Sequence, residues 1–255
     1  MRSFFKSIVN FFLKFVNLEI SRKLPFKKIS FDEIHLSLNN KQNNVIFDVG
    51  ASTGQSIDRF KNLFPDSFIH SFEPIKEDFE ILKKKYENDK TIKLNDLALG
   101  EKKDTKKLYI TAKSDCSSFN KVNMDSNWLK IRSGKLKISP QQFTVKTQDT
   151  EVTTIDEYVK LHNINKIDLL KIDTQGTEDK VLEGAKDCLK KNMIRNIETE
   201  ICFSDQYERR LSFYEIEKYL HINNYRLYGI RNDGFRNLKE GFIFFMDVIY
   251  TCDSI

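Results

Sequence analysis

From residue 44 onward, short apolar runs alternate with stretches whose apolar residues recur at helical spacing. NVIFDVG at 44–50 reads as a strand, and Gln55–Leu63 as a helix ended by Pro65. SFIHSFEP at 67–74 is a second strand, followed by a helix over Ile75–Tyr86 with Phe79 and Leu82 facing inward. TIKLNDLALG at 91–100 reads as a third strand. After a gap come KIDLLKID at 166–173, a helix over Glu178–Leu189, IRNIETEICF at 194–203 and a helix near Phe213–Leu220. Strand–helix–strand repetition with short links predicts parallel strands joined by right-handed crossovers, hence a doubly wound α/β sheet. The last two runs, YRLYGIR at 225–231 and GFIFFMDVIYTC at 241–252, are joined by a short polar link without helical pattern, which predicts an antiparallel pair.

Two regions break the alternation. Residues 101–150 are rich in Ser, Asn and Lys, hold the lone Trp of the chain, and contain an insertion at 113–140. An insertion of this length in a compact α/β domain is either disordered or a functional loop. Ser117, Ser118 and Trp128 are its candidate acceptor contacts. At the other end, Phe4, Phe5, Ile8, Phe11, Phe12, Phe15 and Val16 recur at helical spacing and predict an amphipathic N-terminal helix. Lys6, Lys14 and Glu19 interrupt it, so it is neither a secretion signal nor a membrane span. It packs on its own domain, lies on a membrane surface, or forms a dimer contact. The division is an N-terminal segment over 1–40 and a domain over 41–255.

Composition adds limits. In 255 residues, 40% apolar and 31% charged is ordinary globular usage. The net charge of +5 is thinly spread, densest in KKDTKK at 102–107 and KKK at 83–85, which read as solvated faces. No nucleic-acid partner is expected from so diffuse a charge. Cys116, Cys188, Cys202 and Cys252 form no C-x-x-C pair, which points to a reducing, cytoplasmic setting without structural zinc.

The chemistry gathers at strand ends. Asp48, Glu73 and Asp173 each close a predicted strand, and Asp96 falls near a fourth. In an open parallel sheet, ligands bind beyond the carboxyl ends of the strands. The turn Gly50-Ala51-Ser52-Thr53-Gly54 lets backbone approach a ligand, and the helix from Gln55 points free amides at it. Glu73, at the end of the next strand, is placed to accept both ribose hydroxyls of an adenosine. GASTG lacks the glycine spacing of a dinucleotide site, and no Lys follows as a triphosphate loop requires. The demands fit S-adenosylmethionine, with Asp48 near its ammonium or sulfonium end.

FDVGASTGQ, SFEP, ALG at 98–100, VTTIDEYV at 152–159 and IDLLKIDTQGTEDKVLEGA at 167–185 resemble, in order and spacing, the FkbM-type S-adenosylmethionine-dependent methyltransferases. The resemblance covers roughly residues 44–250 and departs at Gln175-Gly176, where members commonly read Glu-Gly. It implies a class I, Rossmann-like methyltransferase fold: a mostly parallel sheet with an antiparallel last strand. It also implies O-methylation of small molecules, often sugars or polyketide-type products. By the resemblance, Asp48, Gly50, Ala51 and Gly54 surround the methionine end, with Ser52 and Thr53 in the same turn. Glu73 takes the ribose, Asp96 and Ala98 lie near the adenine, and Asp173 stands at the methyl-transfer centre.

A sugar hydroxyl is a poor nucleophile, so a base or a metal should assist. Asp173 is the candidate base. Glu198 and Glu200 share one face of their strand, and with Asp173 they form a candidate oxygen site for Mg²⁺ or Mn²⁺. The alternative is an ion pair with Arg195 or a lysine. Of His35, His70, His162 and His221, none falls at a strand end. The expected function is O-methylation of a sugar or nucleotide sugar. RNA or protein methylation, or a membrane-surface scaffold that keeps the fold without the chemistry, are the alternatives.

Overall fold

A computed structural model describes residues 29–39, 42–231 and 243–252. Residues from Phe31 onward belong to one compact unit. The expected N-terminal amphipathic helix and the polar link at 232–241 lie outside the described residues.

The strands are β1 (Val45–Val49), β2 (Phe68–Phe72), β3 (Ile92–Asn95), β4 (Ala98–Leu99), β5 (Asp104–Thr111), β6 (Thr144–Thr153), β7 (Ile167–Ile172), β8 (Ile194–Cys202), β9 (Arg226–Arg231) and β10 (Phe245–Thr251). The helices are α1 (Phe31–Leu38), α2 (Gln55–Leu63), α3 (Lys76–Tyr86), α4 (Asn127–Leu136), α5 (Ile155–Leu161), α6 (Glu178–Glu183), α7 (Lys186–Lys190) and α8 (Phe213–Leu220). Seven strands form one sheet in the order β3-β2-β1-β7-β8-β10-β9. Its first five members run parallel, while β10 is antiparallel to both β8 and β9. The chain winds outward from β1 to β3 and then returns to β7 on the other side. That reversal makes the β1–β7 junction the switch point, where Val49 and Ile172 stand side by side.

The central strands are apolar on both faces because both faces are covered. Phe47, Val49, Phe72, Leu170 and Ile172 join α5, α6 and α8 in one buried cluster. Ile46, Ile69 and Leu169 pack with Ile57 and Phe60 of α2 and Leu82 of α3 in another. α1 rests on the far end of the sheet, with Phe31, Ile34 and Leu38 against Ile249.

The region 91–153 departs from its expected shape. Residues 91–100 form not one strand but two: β3 in the main sheet, and β4 in a separate three-stranded sheet ordered β4-β6-β5. β5 and β6 form an antiparallel pair whose outer residues are mostly exposed, so no apolar run marks them. Between them, α4 starts where Ser126 Oγ accepts a hydrogen bond from Leu129 N at 3.1 Å. Leu129, Phe143, Val122, Cys116 and Tyr207 bury together and hold this insertion in place. On α3, Leu82 faces inward as expected, whereas Phe79 is half-buried and Asp78 takes the buried position. Glu178–Leu189 is two short helices, α6 and α7, separated at Gly184 and Ala185.

Candidate active site

The turn after β1 is shaped by contact with its neighbours. Gly50 N and Ala51 N both donate to Phe72 O, at 3.0 and 3.2 Å. Gly50 has φ of 81°, and a Cβ there would lie 2.0 Å from the Asp173 carbonyl oxygen. Only glycine lets the tips of β1 and β7 come this close. Ser52 then turns its backbone N–H onto Glu73 Oε2 at 2.7 Å, while Ile75 N donates to Glu73 Oε1 at 2.8 Å. Glu73 is buried, and burial pushes its carboxyl up to about 8 against the pull of those two N–H groups.

Gly50, Ser52, Glu73, Ala98 and Asp173 line a cleft. Its apolar walls come from Phe72, Ile75, Leu99, Leu108 and Phe119. Asp78 also faces it, with Oδ2 buried and without a hydrogen-bond partner among the described residues. Burial raises the Asp78 carboxyl above its ordinary range.

Several candidates stand elsewhere. Asp96 is exposed in the link between β3 and β4 and does not line the cleft, because the chain is there crossing to the small sheet. Thr53 and Gly54 are not part of the lining either. Gly54 backs onto α3, where Tyr86 OH donates to its carbonyl at 2.8 Å. Asp48 is fully buried behind the turn, with Ser56 Oγ donating to Oδ2 at 2.5 Å and the Lys171 ammonium forming an ion pair with Oδ1 at 3.4 Å. It therefore supports the turn rather than lining the cleft. Burial raises the Asp48 carboxyl, opposed by the Lys171 ammonium. Lys171 Nζ donates to Gly50 O at 3.0 Å and lies 3.6 Å from Asp173 Oδ2. Burial disfavours its charge, yet Asp48 and Asp173 raise its pKa.

Beyond Asp173 the site opens into a second pocket, which shares Asp115, Asp173 and Gln175 with the first. Gln175 Nε2 donates to Asp173 Oδ1 at 2.9 Å and to Glu200 Oε1 at 3.2 Å, while its Oε1 accepts from Tyr207 OH at 3.1 Å. A glutamate at 175 would have no hydrogen to donate when ionised. Burial, then the Asp173 charge, pushes Glu200 well above the usual carboxylate range. Glu178 accepts from Thr174 N and Gly176 N at 2.8 and 3.0 Å, and burial lifts it to about 7.

Glu198 does not join this group. Although it sits on the strand of Glu200, its carboxylate accepts from Arg59 Nη1 at 2.7 Å and contacts His35 Nε2. Burial works against its ionisation, but His35 and Arg59 prevail and hold it at about 2. Among the described residues, no three His, Cys, Asp or Glu side chains converge as metal ligands. The ion pair with a basic residue is the arrangement found, and the base is Arg59 rather than Arg195 or a lysine. Within the insertion, Ser117 lines the first cleft and accepts from Thr111 N at 3.0 Å. Ser118 is buried and donates to Gln175 O at 2.8 Å, holding the loop rather than facing a pocket. Trp128 lines the second pocket.

The profile of the methyltransferase FkbM domain matches residues 48–227. The chain belongs to the FkbM methyltransferase family. It is an S-adenosylmethionine-dependent methyltransferase with the class I, Rossmann-like fold. Solved structures overlap this FkbM chain at low identity. Precorrin-6y C5,15-methyltransferase from Geobacter metallireducens GS-15 is 10% identical with a TM-score of 0.45, over 91% of this chain and 94% of that one. Fibrillarin from Aeropyrum pernix, in complex with natively bound S-adenosyl-L-methionine, is 11% identical with a TM-score of 0.44, over 83% and 68%. A SAM-dependent methyltransferase from Aquifex aeolicus is 10% identical with a TM-score of 0.41, over 88% and 91%. No curated protein matches the chain.

Three contributors to this FkbM site carry no clear sequence signal. Lys171 looks like an interruption of an apolar strand, Asp78 is one acid in a charged helix, and Gln175 is a single departure from a family block. A lysine inside a run otherwise buried on both faces was the one available hint, since it must meet an acid there.

Proposed function

We propose that this FkbM methyltransferase moves the methyl group of S-adenosylmethionine to a hydroxyl oxygen of a small molecule, a sugar or glycan precursor. The cofactor supplies a methyl group already activated by its sulfonium. The observation that carries the reading is the wall common to the two pockets, where Asp173 and Gln175 face both.

The first cleft suits the cofactor. Glu73, held by two backbone N–H groups, has lone pairs left for the ribose hydroxyls. The slot of Ile75, Leu99, Leu108 and Phe119 fits a flat aromatic base. Asp78 Oδ2, buried and unpartnered, is an acceptor suited to the adenine amino group, the role that the sequence offered to Asp96. The turn at Gly50, Ala51 and Ser52 faces the methionine end, with Asp48 acting through Lys171 and Ser56.

On the acceptor side, Asp173 takes the hydroxyl proton as the oxygen attacks. Gln175 holds that carboxylate at Oδ1, and Lys171 Nζ lies 3.6 Å from Oδ2, so its direction is fixed from two sides. Most of the rate enhancement then comes from alignment and from keeping water out. Trp128 offers a ring against which the apolar face of a sugar can lie. The test is incubation with labelled cofactor and a panel of nucleotide sugars, glycan fragments and RNA, with mass detection of the products. Label in a sugar hydroxyl supports the reading; label in RNA alone overturns it.

A further inference from the structure

One face of α4 carries a pattern that methyl transfer alone does not require. Trp128, Ile131, Arg132 and Lys135 fall at i, i+3, i+4 and i+7, and all four line the second pocket. The two cations on this face differ from their neighbour Lys113, which is paired with Asp115. Neither Arg132 nor Lys135 has a carboxylate partner among the described residues. Arg132 Nε is buried and makes no hydrogen bond, and Nη2 reaches only the weak acceptor Cys116 Sγ, at 3.9 Å. Its guanidinium lies 6.0 Å from the Trp128 ring centroid, and Trp128 is itself braced edge-on against Phe143 at 5.5 Å. A buried N–H without an acceptor costs free energy unless a ligand or water completes it.

The same pocket is also lined by Asp115, which Lys113 pairs, and by Asp173 and Glu200, which Gln175 bridges. An anionic group is repelled by Asp173 and attracted to Arg132 and Lys135 of α4, whereas a hydroxyl is welcome beside Asp173. We propose that the acceptor is an anionic sugar: one end bears a phosphate or carboxylate held by Arg132 and Lys135, and the other presents the hydroxyl to Asp173. This rests on the reading of the second pocket as the acceptor site. Guanidinium matches the planar or trigonal face of such oxyanions with paired N–H donors.

Titration calorimetry on the protein saturated with S-adenosylhomocysteine tests it, with glucose, glucuronate, glucose 1-phosphate and UDP-glucose as probes. At least one anionic probe should bind tenfold or more tightly than glucose, and glucuronate against glucose 1-phosphate separates carboxylate from phosphate. Arg132→Gln and Lys135→Gln should each reduce that preference, Arg132→Gln by on the order of tenfold or more. Arg132→Lys should restore part of it, and S-adenosylhomocysteine affinity should stay unchanged in all three. Equal binding of glucose and the anionic probes, or a preference indifferent to both glutamine variants, overturns the proposal. Methyl transfer to the same probes separates it from the reading beneath. An anion bound through Arg132 but never methylated upholds the anion site and removes sugar O-methylation. Methylation of glucose untouched by Arg132→Gln does the reverse.

Discussion

Ser52 donates its backbone N–H to Glu73 Oε2 across 2.7 Å, joining the turn after β1 to the tip of β2. The bond fixes the carboxylate before any ligand arrives. Burial holds its pKa at about 8 in the folded chain, against an ordinary 4.5. The folded state therefore binds the proton more tightly than the unfolded one. Its stabilising effect is full below 4.5 and is lost as pH rises through about 8. Ribose hydroxyls favour the ionised form, so cofactor binding should release a proton and strengthen as pH climbs toward 8. Calorimetry of S-adenosylhomocysteine in buffers of differing ionisation enthalpy reads both effects. Glu73→Ala should weaken binding at least tenfold, by loss of hydrogen bonds worth about 1.5–3 kcal/mol each. Unchanged affinity in the variant would retire the ribose assignment.

Asp78 gives a sharper test of the adenine end. Asp78→Asn keeps the size but allows the amide nitrogen to face the slot, so S-adenosylhomocysteine affinity should drop by about tenfold. The loss should vanish for an analogue with hydrogen in place of the adenine amino group. An equal loss for both ligands would mean that Asp78 only shapes the slot.

Asp173→Asn should cost kcat on the order of 10²-fold or more while cofactor affinity changes little. The asparagine can still accept from Gln175, so the loop should keep its form. Rapid mixing with labelled cofactor under single-turnover conditions isolates the chemical step. Near-normal turnover there would remove Asp173 as the base.

Glu198 and Arg59 predict a stability effect instead. Removing one partner of a fully buried ion pair costs about 3–5 kcal/mol; here Glu198 keeps its contact with His35 and Arg59 is partly exposed, so the cost should fall below that range. Arg59→Met should lower the urea midpoint accordingly, and adding Glu198→Met should recover much of the loss. Since Glu198 titrates at about 2 rather than 4.5, its stabilising effect is present above 4.5 and lost as pH falls through about 2. An Arg59→Met protein as stable as the wild type would show the pair to be inert.

What could be read in advance followed from local physics. Strands buried on both faces must be apolar runs, and the β1 and β7 runs could not have been missed. Gly50 was legible as a turn, though its reason, the Asp173 carbonyl 2.0 Å from a would-be Cβ, was not. The pair β5 and β6 escaped notice because solvent covers most of it, leaving no alternation to detect. Asp96 misled because an acid near a strand end was taken for one facing the crevice, while the chain was already leaving the sheet. Glu198 misled for a different reason: its partners are 139 and 163 positions away, on helices whose placement only the fold decides. The period of a strand says which residues share a face, not what the next layer will bring to it.

Lys171 is enclosed at the junction of β1 and β7, close to both Asp48 and Asp173. One ammonium there answers more than one carboxylate, while burial first of all, and then the Asp173 charge, raises the pKa of Asp48 and Glu200. In the proposed reaction, S-adenosylmethionine would enter with a sulfonium charge and leave, as the thioether, without it. Beside the Asp173 carboxylate, that loss of charge would weaken the hold on the spent molecule relative to the reactant.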